Sequence, residues 1–213
     1  DMPTSAELHA RRAAAVARGI GHVTAIYAKT AKNSEIWSED GKRYIDFNSQ
    51  LMCVNIGHGD PRVIKAIQDQ AATLAYANPF MATEPRARLG QKLAAISPGD
   101  IDVFFFTNGG ADAVEHAVRM ARLHTGRTKA LSTYRSYHGG THLAINLTGD
   151  PRRWASDNGS AGTVHFFGPF LYRSPFHSTT EAEECERALA HLEQIIALEG
   201  PGNIADVILG SVP

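Results

Sequence analysis

The chain has 213 residues, 43% of them hydrophobic, enough for one large domain or two small ones with a real core. Its 21 basic and 22 acidic residues nearly cancel and form no basic run, which argues against a nucleic-acid or membrane surface and for small-molecule partners. Cys53 and Cys185 form no CxxC pair and no apolar run reaches membrane-spanning length, so neither a metal knuckle nor a disulfide framework is indicated and the cytoplasm is the expected compartment.

In chain order, DMPTSAELHARRAAAVARG (1–19) reads as an Ala/Arg-rich surface or partner-facing helix rather than a signal peptide. SEIWSEDGKRYIDF (34–47) alternates apolar residues around Asp40-Gly41 and predicts a β-hairpin. After GHGDP (57–61), Val63, Ile67, Gln70 and Leu74 fall at helical spacing within 62–76. An alternation follows: helix 84–96 and strand 101–106, helix 111–124 and strand 129–133, an ambiguous 151–162 and strand 163–167, helix 181–198 and strand 204–209. Segment 168–180, rich in Gly, Pro, Ser and Thr, predicts a loop. Short apolar strands separated by helices predict an α/β fold with a mostly parallel sheet covered on both faces.

Ligands of such sheets sit outside the carboxyl ends of the strands, which draws attention to FTNGGAD (106–112). Gly109 and Gly110 carry no side chain to obstruct an anion, and the N–H groups of Gly110, Ala111 and Asp112 open a helix, so a phosphate is the expected guest. For a lone Gly-Gly, a tight turn and helix start with no ligand is the simpler reading, and it is the position after an apolar strand that favours a site. After the next strand comes YRSYHGGTH (134–142), which offers Tyr137 as a ring to stack on a flat heteroaromatic ligand. An ordinary core or strand-end tyrosine is the competing reading. His138 and His142 have HxxxH spacing, but Gly139, Gly140 and Thr141 between them are poor helix material and no metalloprotease glutamate accompanies them, so no metal site is expected.

Four segments, DGKRYIDFNSQ (40–50), GHGDPRVIKAIQDQ (57–70), FTNGGADAVEHAVRMARLHTGR (106–127) and YHGGTH (137–142), together resemble the class III pyridoxal-phosphate-dependent aminotransferases. The resemblance implies an aspartate-aminotransferase-like (fold type I) large domain with a mixed, mostly parallel sheet beginning at residue 61. Residues 1–60 then belong to a smaller α+β domain. It implies pyridoxal 5'-phosphate as cofactor, held by Gly109, Gly110, Ala111, Tyr137 and His138, and amino transfer from an amine or ω-amino acid to a keto acid such as pyruvate. Met52 and Phe80 match substrate-side segments, and the family builds homodimers with shared sites. Arg135 is a candidate for binding a substrate carboxylate.

Departures from the family pattern are Ala111, where a serine or threonine is common, and Gly210-Ser211, where many relatives carry Glu-Pro. The Schiff-base lysine and the pyridine-nitrogen aspartate lie further along in relatives. None of Lys29, Lys32, Lys42, Lys65, Lys92 and Lys129 follows the phosphate and stacking motifs, so the sequence is expected to be the first half of a longer enzyme, inactive alone. An aminomutase or racemase of the same fold, or a non-catalytic phosphate-ligand module, would share the glycine turn.

Overall fold

The computed structural model describes residues 4–15, 26–156, 159 and 162–210, and the chain divides into two compact units, 1–102 and 103–213. In the first unit, helix α1 (Ser5–Ala15) opens with a reciprocal capping box. The Glu7 carboxylate accepts the Thr4 N–H at 2.7 Å and the Thr4 hydroxyl accepts the Glu7 N–H at 3.3 Å. The remainder of the expected N-terminal helix, 1–3 and 16–19, lies outside the described residues.

An antiparallel sheet follows in the order β1 (Ala28–Lys32), β2 (Glu35–Ser38), β3 (Arg43–Ile45). Strands β2 and β3 form the expected hairpin, closed by Gly41 at φ +80°. Strand β1, AKTAK, is an addition that its polar sequence does not announce. Next comes α2 (Ser49–Met52), a single turn with φ of +51°, +50°, +59° and +61°. It is left-handed and contains no glycine, although that conformation costs an L-residue about 1–2 kcal/mol. Helix α3 (Pro61–Thr73) is capped by Asp60, whose carboxyl is held at about 2 by hydrogen bonds from the Arg62 side chain and N–H. Its Val63, Ile67, Gln70 and Leu74 line an open, mainly apolar cleft of about 720 Å³. Helix α4 (Glu84–Ile96) has the expected bounds, with Pro85 in its first turn.

The second unit contains α5 (Gly110–Thr125), β4 (Lys129–Thr133), α6 (His142–Leu147), β5 (Thr163–Phe166), α7 (Glu181–Glu199) and β6 (Ile204–Ile208). Its sheet is parallel, in the order β5-β4-β6. Successive residues of central β4 serve opposite faces. Ala130 packs with Val118 of α5 and with Leu143 and Leu147 of α6, whereas Leu131 packs with Phe166, Ile204 and the α7 residues Leu192, Ile195 and Ile196. Both faces are thus covered, as the alternation predicts. A register shift sets Lys129 opposite Ile204 but Ala130 opposite Asp206, which sends Ile204 to the α7 face and Ile208 to the α5/α6 face.

The run 101–106 does not form the expected strand. It has no ladder partner among the described residues, and Val103 and Phe105 are 86% and 62% exposed. Apolarity marks a segment that needs a cover without specifying a partner strand. In the ambiguous stretch, Pro151–Arg153 forms a 3-10 turn begun by Asp150, while residues 157, 158, 160 and 161 lie outside the described residues, as do 211–213. The expected loop 168–180 holds only the short 3-10 turn Leu171–Arg173.

Candidate functional site

Helix α5 begins where its sequence supplies nothing to cap it. Gly109, in extended backbone, is the N-cap and has no side-chain acceptor, and the first intrahelical bond runs from the Ala113 N–H to the Gly109 carbonyl at 3.0 Å. The Gly110, Ala111 and Asp112 N–H groups precede that bond and have no acceptor within the helix. A Cβ on Gly110 would meet no atom within 4 Å, so this glycine keeps space open before the helix rather than relieving a contact. The start of a 16-residue helix thus offers unobstructed donors at the positive end of its dipole.

The YHG segment lies directly against that start. Gly139 has φ +135°, and a Cβ there would fall 2.5 Å from Ala111 Cβ and 2.9 Å from Ala111 Cα, which no side chain can occupy. Glu115, one turn into α5, fixes the arrangement. Its carboxylate accepts the Thr141 hydroxyl (2.6 Å) and the N–H groups of Leu143 (2.8 Å) and Ala144 (3.2 Å), and so caps α6 from a different helix. Burial opposes ionisation of Glu115, but these donors outweigh it and hold the carboxyl below its usual range. Glu115 is absent from the sequence-based site because nothing local links it to a residue 26 positions later.

Tyr137 is 43% exposed, and the Arg152 guanidinium carbon stands 3.8 Å from its ring centroid. Arg152 is itself gripped by the Asp150 carboxylate, through Nε at 2.8 and 3.1 Å and through Nη2. His138 points the other way. Its Nε2 is 3.0 Å from Ser132 Oγ on β4, and its N–H donates to Thr148 Oγ1 at 3.0 Å. Burial, then the neighbouring His165, push its pKa below the ordinary histidine value, which favours the neutral ring. Helix α6 starts only at His142, so His138 and His142 do not share a helical face. Arg135 lies over the Phe170 ring, 4.6 Å from its centroid.

Met52 and Phe80 belong to the first unit and to neither hydrophobic core, at 71% and 96% exposure. The loop carrying Phe80 is pinned by Arg86, whose guanidinium donates to the carbonyls of Ala77 (3.2 Å), Asn78 (3.4 Å) and Met81 (3.3 Å).

Residues 15–213 match the family model described as aminotransferase class-III. The chain belongs to the class III aminotransferases. Among curated members it is 34% identical over 212 residues to 5-aminovalerate aminotransferase DavT of Pseudomonas putida, covering 98% of this chain and 48% of that protein. It is 31% identical over 215 residues to 4-aminobutyrate aminotransferase GabT of Escherichia coli, covering 99% and 49%. Among solved structures, taurine:2-oxoglutarate aminotransferase from Bifidobacterium kashiwanohense, in complex with PLP and glutamate, superimposes with a TM-score of 0.89 at 35% identity, over 100% of this chain and 49% of that one. An (S)-enantioselective omega-transaminase from Thermomicrobium roseum gives 0.90 at 30%, over 97% and 49%. The chain therefore spans about half the length of the class III relatives it matches. Members of this family depend on pyridoxal phosphate, and the residues present fit that cofactor. An uncapped helix start with open space at Gly110 suits a phosphate, and a part-exposed Tyr137 ring suits a pyridine face.

Proposed function

We propose that the full-length protein transfers an amino group from an amine or ω-amino acid to a keto acid such as pyruvate, with this chain supplying the cofactor phosphate turn and stacking platform. The observation that supports the reading is the close approach of Gly139, in the YHG segment, to Ala111 in the glycine turn, which brings the proposed phosphate turn against the segment that carries Tyr137. Bound pyridoxal phosphate supplies the electron sink that lets a C–N bond be exchanged. Gly109, Gly110 and Ala111 hold its phosphate by backbone N–H groups, Tyr137 orients its ring, and His138 backs the segment through Ser132. Met52 and Phe80 are the proposed substrate contacts.

The only lysine in the second unit, Lys129, lies at the N-terminal end of β4 and is engaged by the Glu199 carboxylate (2.6 Å) and carbonyl (2.8 Å). The lysine that forms the cofactor linkage is accordingly proposed to lie beyond this chain, and the 213-residue polypeptide alone to be inactive. Residues 1–60 are proposed to belong to the smaller domain and 61–213 to open the large one, in a cytoplasmic homodimer with shared sites.

A panel of amines, ω-amino acids and taurine, assayed on the cofactor-loaded full-length protein with pyruvate or 2-oxoglutarate, tests the activity. Amino transfer consumes one keto acid per donor. Turnover without keto-acid consumption would make the protein an aminomutase or racemase, and lack of protein-bound near-ultraviolet to violet absorbance after incubation with the cofactor and removal of the free form would leave a phosphate-ligand module.

A further inference from the structure

Both chain neighbours of Tyr137 are tied to one stretch of the second unit, 148–152. The Ser136 carbonyl accepts the N–H groups of Gly149 (3.0 Å) and Asp150 (3.2 Å), the Ser136 hydroxyl oxygen accepts the Gly149 N–H at 3.2 Å, and the His138 N–H donates to Thr148 Oγ1. Gly149 can pass this close because it has no side chain. A Cβ there would run into the Thr133 carbonyl oxygen and fall 2.6 Å from Tyr134 Cα. The stretch ends on Arg152, whose guanidinium lies over one face of the Tyr137 ring. Asp150 fixes that placement twice: its carboxylate accepts the Arg152 N–H at 2.8 Å, and it grips the guanidinium through Nε and Nη2. Hydrogen bonds from the Arg152 side chain, more than any other cause, hold the Asp150 carboxyl below its usual range, so the grip is between full charges at neutral pH. Arginine suits the position because its planar cation can stack on an aromatic face while its edge pairs with a carboxylate.

We propose that Arg152, oriented by Asp150, is a positioning residue for the cofactor: it holds the Tyr137 ring from one face and leaves the other face to stack on the pyridine. This rests on the reading of Tyr137 as the stacking residue. A half-exposed ring that is free to turn loses rotamer freedom when a ligand stacks on it, and a ring already held flat does not. Arg152 therefore contributes to cofactor affinity only through Tyr137.

The test is a double-mutant cycle on the full-length protein, freed of cofactor and titrated calorimetrically with pyridoxamine phosphate, which carries the same ring and phosphate but forms no linkage to a lysine. Arg152 is 48% exposed and belongs to neither hydrophobic core, so Arg152→Ala should melt near the parent. Its dissociation constant for pyridoxamine phosphate should rise by more than twofold, on the order of fivefold. In the Tyr137→Ala background the same substitution should change the constant by less than twofold. Asp150→Asn keeps an acceptor for the Arg152 N–H but gives up the carboxylate grip, so it should weaken binding part of the way and add nothing further when combined with Arg152→Ala. Should Arg152→Ala fail to fold, Asp150→Asn in the two Tyr137 backgrounds reads the same coupling. A change of twofold or less on Arg152→Ala, or an equal loss with and without the Tyr137 ring, overturns the positioning role. If Tyr137→Ala itself leaves the affinity unchanged, it is the stacking reading that fails, and the role of Arg152 falls with it.

Discussion

A side chain at Gly110 separates ligand obstruction from misfolding, because a Cβ there meets nothing in the chain. Gly110→Val is expected to fold, to keep its secondary structure by circular dichroism, and to lose pyridoxal-phosphate binding in an absorbance titration. Full affinity in that variant would remove the phosphate assignment. Tyr137 gives a graded companion. Tyr137→Phe keeps the ring and should retain most cofactor affinity, whereas Tyr137→Ala should lose on the order of 1 kcal/mol or more, read from the cofactor dissociation constant. Arg152 belongs to the same experiment, since its guanidinium rests on that ring and is anchored by Asp150. Neither Arg152 nor Asp150 is legible as a site residue in the sequence. The Asp-Pro-Arg stretch announces only a turn, and a guanidinium reaching back 15 positions to an aromatic ring leaves no local signature.

Helices α5 and α6 are joined by Glu115 on one side and by the Gly139–Ala111 contact on the other. Gly139→Ala should destabilise the second unit by about 2–3 kcal/mol, because its Cβ collides with Ala111 and its φ suits only glycine. Glu115→Gln should lose about 1–2 kcal/mol, with the charge-assisted part fading in acid. The sign follows from the lowered carboxyl pKa: folding favours the ionised form, so the contribution is complete above the ordinary glutamate range and disappears as pH falls through the lowered folded value. Thermal melts of parent and variant should therefore converge toward the acid end. Legibility at this scale follows physical cause. Helices 84–96 and 181–198 were readable because apolar spacing and flanking breakers agree with the fold, and Thr180 caps the second through the Glu183 N–H. Strand β1 and the left-handed turn were not, since AKTAK lacks strand character and SQLM lacks the glycine that normally flags positive φ.

For the whole molecule, the family and fold class were legible because the glycine turn and the YHG segment are continuous sequence motifs and the alternation predicts the parallel sheet of β5, β4 and β6, although the run before the glycine turn does not join it. Borohydride reduction of the 213-residue polypeptide with pyridoxal phosphate, followed by peptide mapping, should yield no specific pyridoxyl-lysine, and the polypeptide should show no transaminase turnover. Recovery of one labelled lysine together with turnover would place the catalytic group among the six lysines present. The unpaired run 101–106 has a colloidal consequence. Ile101, Val103, Phe105 and Phe106 are all exposed, in a stretch with β-prone side chains, no proline and only Asp102 as an internal charge. Such a stretch templates intermolecular pairing, and Asp100 and Asp102 are its electrostatic gatekeepers. Handled alone, this polypeptide will be limited by self-association before it is limited by unfolding, and light scattering of Asp102→Asn should show a lower concentration threshold for aggregates than the parent.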